Sequence, residues 1–143
     1  MKTVNVTAKT TDGYKIEVQA GQHLIIVDQT PPMGGKDEGA SPLEYLFASL
    51  ASCIATVGLI VSKQERLPVH GINVAVEGDI DLDVLMGKSV ENRSGFLGLK
   101  AKVDVDAPEM SHEAKVAFIE KVEVRCPVTD NLLNTTPITY EVL

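Results

Sequence analysis

Two residues concentrate the covalent chemistry open to this chain. Cys53 and Cys126 are its only cysteines and stand 73 residues apart. Two thiols that meet in a fold can pass from thiolate to sulfenic acid to disulfide and back. Buried cysteines also pack as small, inert hydrophobes, and spacing alone leaves both roles open. Two thiols are too few for a disulfide scaffold or a four-thiolate zinc site. Asp79, Asp81 and Asp83 imitate the start of a calcium loop, but Val84 and Val90 stand where that loop needs Gly and Glu, so the triplet is read as the solvated face of a strand. Gly35-Lys36 imitates a phosphate loop, yet Thr30 replaces its first glycine and Asp37 follows the lysine. His23 and His70 begin expected strands and His112 opens an expected helix, positions of exposure rather than ligation. No metal or cofactor is expected.

The surroundings narrow the chemistry further. The chain has 143 residues, 13 Lys plus Arg against 20 Asp plus Glu, and a net charge of −7. This length suits one domain, 1–143, and 44% hydrophobic residues supply a core. A pI near 4.9 and an aromatic content of 4% without Trp argue against nucleic acid and anionic membranes as partners. The first residues, MKTVNVTAKTTDGYK, lack the apolar run of a secretion signal, so a cytoplasmic protein with reduced thiols is expected.

The elements that position the cysteines follow from periodicity. Residues 3–9 and 14–18 alternate apolar with polar around Asp12-Gly13, a hairpin signal, and Leu24–Val27 adds a third strand. Residues 29–40 are a Pro- and Gly-rich loop. Ser41-Pro42-Leu43-Glu44 opens a helix with Ser as cap, Pro at the first position and Glu three residues after the cap. That helix is expected to run to about Arg66, ahead of Leu67-Pro68. Its stretch Tyr45–Ser62 carries no charge, which is the lower limit for a membrane span. Five Ser, Thr or Gly residues within it and strand patterns on both sides favour a buried central helix. Cys53 shares a helix face with Leu46, Leu50 and Val57. Ile72 to Val84 alternates as one strand with an acidic outer face, and Leu97 to Val105 is its antiparallel partner, placing Lys100 and Lys102 opposite the acids. Ser111 caps a second helix with the stripe Val116, Ile119, Val122, Cys126, Pro127 breaks or restarts it, and Ile138–Val142 forms a last strand. This order describes an α+β domain.

Gly34-Gly35, Ser41 to Leu46 (SPLEYL), Ala48 to Cys53 (ASLASC) and Val124-Arg125-Cys126-Pro127-Val128 before Asn131 resemble the two cysteine motifs of the OsmC/Ohr family, the osmotically inducible and organic hydroperoxide resistance proteins. The resemblance covers nearly the whole chain. It implies an intertwined homodimer with antiparallel sheets wrapped around two central helices and active sites at the subunit interface. It also implies roles: Cys53 attacks a hydroperoxide, Cys126 resolves the sulfenic acid into a disulfide, and a dithiol reductant restores the pair without metal or flavin.

Two positions depart from the peroxidase members of that family. They carry an arginine just before the Asp-Gly turn, where Thr11 stands here, and a glutamate after the motif proline, where Leu43 stands here. An unaided buried cysteine is mostly protonated at neutral pH. Lys15, Lys36 and Arg125 are the candidate replacement cations, and Glu44 is either a supporting acid or simply the capping-box residue. These departures place the chain in an OsmC-like branch outside the typical hydroperoxide reductases. The function expected is thiol-dependent reduction of organic hydroperoxides. The alternative is a non-peroxidatic protein that binds a small apolar ligand or senses redox state through the interface pocket.

Overall fold

The Asp12-Gly13 signal makes the turn it announces. In a computed structural model describing residues 1–143, Lys15 N donates to Asp12 O, and Gly13 takes the positive φ of +58° that a side chain disfavours. Strands β1 (Thr7–Thr10) and β2 (Ile16–Ala20) pair antiparallel with Thr10 opposite Ile16, and β3 (His23–Val27) pairs with β2 through Ala20 and His23. The expected strand from residue 3 is shortened. Val4 and Val6 lie exposed ahead of β1, whose pairing with β2 begins at Thr7, opposite Gln19.

The loop after β3 is closed by Asp28. This carboxylate is only 2% exposed and accepts the N–H groups of Gln29 (2.8 Å), Lys36 (3.1 Å) and Glu38 (3.2 Å). Three amide donors stabilise the charge and hold the Asp28 pKa below the usual carboxylate value. Gly35 sits against this closure with no room for a Cβ, which would come within 1.9 Å of Gln29 O.

Helix α1 (Pro42–Glu65) starts with the expected capping box: Glu44 Oε2 accepts from Ser41 N and Oγ, and Ser41 Oγ accepts from Glu44 N. It ends with Arg66 in the left-handed region, φ +53°, and Leu67 N donating to Ser62 O, a six-to-one bond that satisfies a terminal carbonyl. Pro68 follows. The chain divides into units Met1–Leu46 and Phe47–Leu143, so the first turn of α1 belongs to one and its cysteine-bearing remainder to the other.

In the second unit, β4 (Gly71–Asp79) and β5 (Gly98–Asp106) form an antiparallel pair with Val74 opposite Val103 and Glu77 opposite Lys100. Lys102 Nζ reaches Glu77 Oε2 at 2.9 Å, so lysines do face acids across the sheet. The expected strand to Val84 stops early. Asp81 accepts the N–H of Asp83 and caps the short helix α2 (Leu82–Leu85), because a local Asp side-chain bond competes with the sheet ladder.

Ser111 caps α3 (His112–Arg125), accepting from Ala114 N, and Pro127 starts α4 (Pro127–Leu133). The core of this unit is Leu50, Ile54, Val57 and Val61 of α1 with Val105, Ala107, Phe118, Val122 and Cys126. The α1 positions recur at helical spacing, so one stripe of the apolar helix is buried here. α1 is long and apolar enough to cross a bilayer, a property shared with the core helices of water-soluble folds. The α3 stripe differs from expectation: Val116 is 45% exposed, and Phe118, with the larger apolar surface, takes the inward face. Ile138–Val142 forms no strand. Its backbone has no pairing partner in either sheet, and Ile138, Tyr140 and Val142 are exposed.

Candidate active site

Helix α1 presents Cys53 one helical turn from both Leu50 and Val57, at the margin of the buried stripe, and the side chain is half-buried. Cys126 is placed by the proline after it. Pro127 disfavours helical geometry in the preceding residue and has no N–H to lose at the first position of a new helix. Cys126 is therefore extended (φ −80°, ψ 110°), ending α3 and capping α4 at once. Its sulfur takes the place of a capping oxygen and accepts the Thr129 N–H at 3.5 Å. Cys126 has no exposed surface. Across the core the two sulfurs are 3.0 Å apart, within hydrogen-bonding distance, and both thiols are free.

The pair titrates as a unit. Burial pushes the Cys53 thiol up, and the hydrogen bond and charge of Cys126 push it further, against a smaller opposing contribution from the Val128 N–H. Burial acts the same way on Cys126, but hydrogen bonds from Cys53, from the hydroxyl and N–H of Thr129 and from the Val128 N–H outweigh it. The Cys126 pKa falls below the ordinary thiol value. The first proton lost therefore leaves a thiolate on Cys126 with Cys53 as its S–H donor.

Cys53 opens onto a shallow pocket of about 510 Å³. Ser49, Ser52 and Thr56 line it beside Cys53, Val57, Ile60, Pro127 and Val128 supply apolar surface, and Arg125 stands on the wall. This hydroxyl row is not among the expectations from sequence, although Ser49, Ser52 and Thr56 recur at spacings of three and four and so line one side of the helix next to Cys53. Thr129 was also missed. The signal for it was the Cys-Pro pair, which opens a helix and makes the third residue an amide donor to the cysteine.

Of the other site residues expected from the sequence, only Arg125 accompanies the cysteines. Its guanidinium donates to Gln64 Oε1 at 2.9 Å and is not among the groups that act on the Cys53 thiol. In the first unit, Lys15 pairs with Glu38 at 3.3 Å, Lys36 pairs with Asp12, and Glu44 is held in the capping box, which lowers its pKa. Thr11 donates through N and Oγ1 to Lys15 O within the first turn, and Leu43 is half-buried.

A family model described as OsmC-like protein matches residues 35–141. No curated protein matches the sequence. Among solved structures, the fold is similar to that of an OsmC-like protein from Mycoplasma pneumoniae, at 20% identity and a TM-score of 0.80, covering 94% of this chain and 89% of that one. It is also similar to an organic hydroperoxide resistance protein OsmC from Legionella pneumophila, at 16% identity and a TM-score of 0.69 with 92% and 90% covered. A third similar structure is an organic hydroperoxide resistance protein from Elizabethkingia anophelis with crystallant-derived thiocyanate bound, at 22% identity and a TM-score of 0.69 with 94% and 91% covered. With most of its length inside the family model and both cysteine motifs in place, this α+β chain belongs to the OsmC-like protein family.

Proposed function

We propose that this protein is a thiol-dependent reductase of organic hydroperoxides, acting as a single-domain (1–143), cytoplasmic homodimer. The observation that carries the reading is the sulfur pair: Cys53 faces a pocket, and Cys126 lies fully buried 3.0 Å behind it. A hydroperoxide in the pocket meets Cys53 first, so Cys53 is the attacking sulfur. Attack on the terminal oxygen breaks the O–O bond, oxidises Cys53 to sulfenic acid and releases the alcohol. Cys126 then displaces hydroxide to form the disulfide, and a small dithiol reduces it. The apolar lining suits an organic rather than an aqueous peroxide. Relatives named as hydroperoxide resistance proteins share the fold and support the substrate class.

A second reading is favoured by one observation, the raised pKa of the accessible thiol. A protonated Cys53 in a pocket suits a protein that binds a small apolar ligand or senses oxidants slowly. One experiment separates the two. Reduced protein is treated with cumene hydroperoxide at neutral pH and followed by intact mass and peptide mapping. Rapid loss of two hydrogens with a Cys53–Cys126 link supports the reductase. Unchanged thiols, beside an active family peroxidase as control, leave the binding protein. Light scattering tests the dimer.

A further inference from the structure

The fully buried sulfur has more to do than wait for a sulfenic acid. Arg125 on the pocket wall donates to Gln64 and is engaged away from Cys53. What does touch Cys53 is the other sulfur, itself anchored by the Thr129 N–H at the start of α4. We propose that Cys126 is a catalytic base for Cys53 before it becomes the resolving nucleophile, one sulfur serving two successive steps.

This rests on the hydroperoxide reading above, and the steps balance. The reacting form of the pair is Cys53–SH beside Cys126–S⁻. As Cys53 attacks the terminal oxygen of R–O–O–H, its proton passes to Cys126, the S–O bond forms and the O–O bond breaks. The products are Cys53–SOH and RO⁻. The alkoxide takes a proton from solvent at the open pocket and leaves as ROH. Cys126–SH then attacks the sulfenic sulfur, forming the disulfide and releasing water. The peroxide is reduced by two electrons and the two sulfurs supply them. The same anchoring that denies Cys126 access to substrate makes it the better site for the charge.

Other charged groups on the elements carrying the pair are paired elsewhere or face away toward solvent. On α1, Glu44 is in the capping box, Lys63 lies in the last turn and Glu65 binds Lys121 of α3 at 2.7 Å. Also on α3, Glu113, Lys115, Glu120 and Glu123 are solvent-facing or half-buried, and Arg125 binds Gln64. On α4, Asp130 accepts from Asn134. None of them is among the groups that set the ionisation of either sulfur.

The test is the rate of the first step in Cys126→Ser. Serine keeps a capping oxygen for α4 but has no thiolate. An unassisted thiol with a pKa near 8.5 is ionised in only about one molecule in thirty at pH 7. Dimedone-trapped sulfenic acid on Cys53 should therefore form about thirtyfold more slowly than wild-type oxidation by cumene hydroperoxide, with the gap closing as pH rises. Sulfenic acid formed at the wild-type rate with the wild-type pH midpoint would overturn the proposal, since a purely resolving Cys126 leaves the first step untouched. If the variant does not fold, wild type alone decides: its oxidation rate must rise with the first thiolate seen by ultraviolet absorbance, and a rate that follows the second ionisation refutes the idea. If wild type ignores hydroperoxide altogether, the function reading falls. Iodoacetamide alkylation of Cys53 in wild type and variant then tests the proton sharing by itself, with equal pH profiles counting against it.

Discussion

The position of Cys53 depends on how closely α1 lies against β4, and Gly58, five residues after Cys53, is a point of close approach. A Cβ built on Gly58 would stand 2.3 Å from Ile72 Cδ1 and 3.5 Å from Phe118 Cζ. Gly58→Ala gains about 1 kcal/mol in helix propensity and loses about 1–3 kcal/mol by overpacking, so the single variant is expected to be less stable. Ile72→Val removes the one methyl that collides and by itself costs about 0.5–1.5 kcal/mol for the space it empties. In the double variant the new methyl fills that space. Neither loss then applies in full, and the pair should recover about 1–3 kcal/mol relative to the sum of the singles, the range of residues in contact. Urea unfolding of all four proteins at one fixed concentration measures the cycle, the fixed concentration keeping any association the same in each. Singles that add within about 0.5 kcal/mol would refute the close approach of helix and strand inferred here.

Two further outcomes follow from the electrostatics. Asp28 has a pKa held below 3.8 by three amide donors, so its contribution to stability is complete above that value and fades as pH falls through the lower, folded-state value. Asp28→Asn should lower Tm at pH 7 and should flatten this acid limb, and an unchanged Tm would show that the loop closure contributes nothing. Arg125 lines the pocket but bonds Gln64, so Arg125→Gln should leave the pH midpoint of Cys53 alkylation where it is, whereas an upward shift would make Arg125 the missing cation.

Local rules carried most of the fold. The two turns of the first sheet, the Ser41–Glu44 box and the Ser111 cap each require only neighbouring residues, and each formed where the residue types placed it. What escaped depends on competition or on partners distant in sequence. Leu82 and Val84 continue an alternating pattern, yet Asp81 turns the chain into α2 before they can pair. Val116 has the right spacing for the core of α3 but loses the place to Phe118, a choice made by volume and invisible to periodicity. Ile138–Val142 has strand residues and no strand beside it. At the site, the two cysteines were legible from their motifs. Asp28 was not, because a carboxylate that binds three amides of its own loop has no periodic signature.

The same contrast between local and tertiary causes explains the thiols. The sequence around Cys126 contains its acidity: Pro127 starts a helix there, and Thr129 donates to the sulfur whatever the rest of the chain does. Cys53 has no such local help. It lies in mid-helix, where backbone N–H groups are spent on carbonyls one turn back, so its partners come from elsewhere in the fold: the Val128 N–H favours its charge, and its nearest side-chain partner is another thiol. Without the arginine expected before the first turn, that partner is Cys126, which stabilises the Cys53 proton rather than the Cys53 charge. Accessibility and acidity are thereby separated onto different sulfurs 3.0 Å apart. The pocket opens onto the one that holds the proton, and the charge falls on the one with no exposed surface. A proton moved across that single distance unites the two properties, and the separation itself keeps the thiolate away from solvent oxidants.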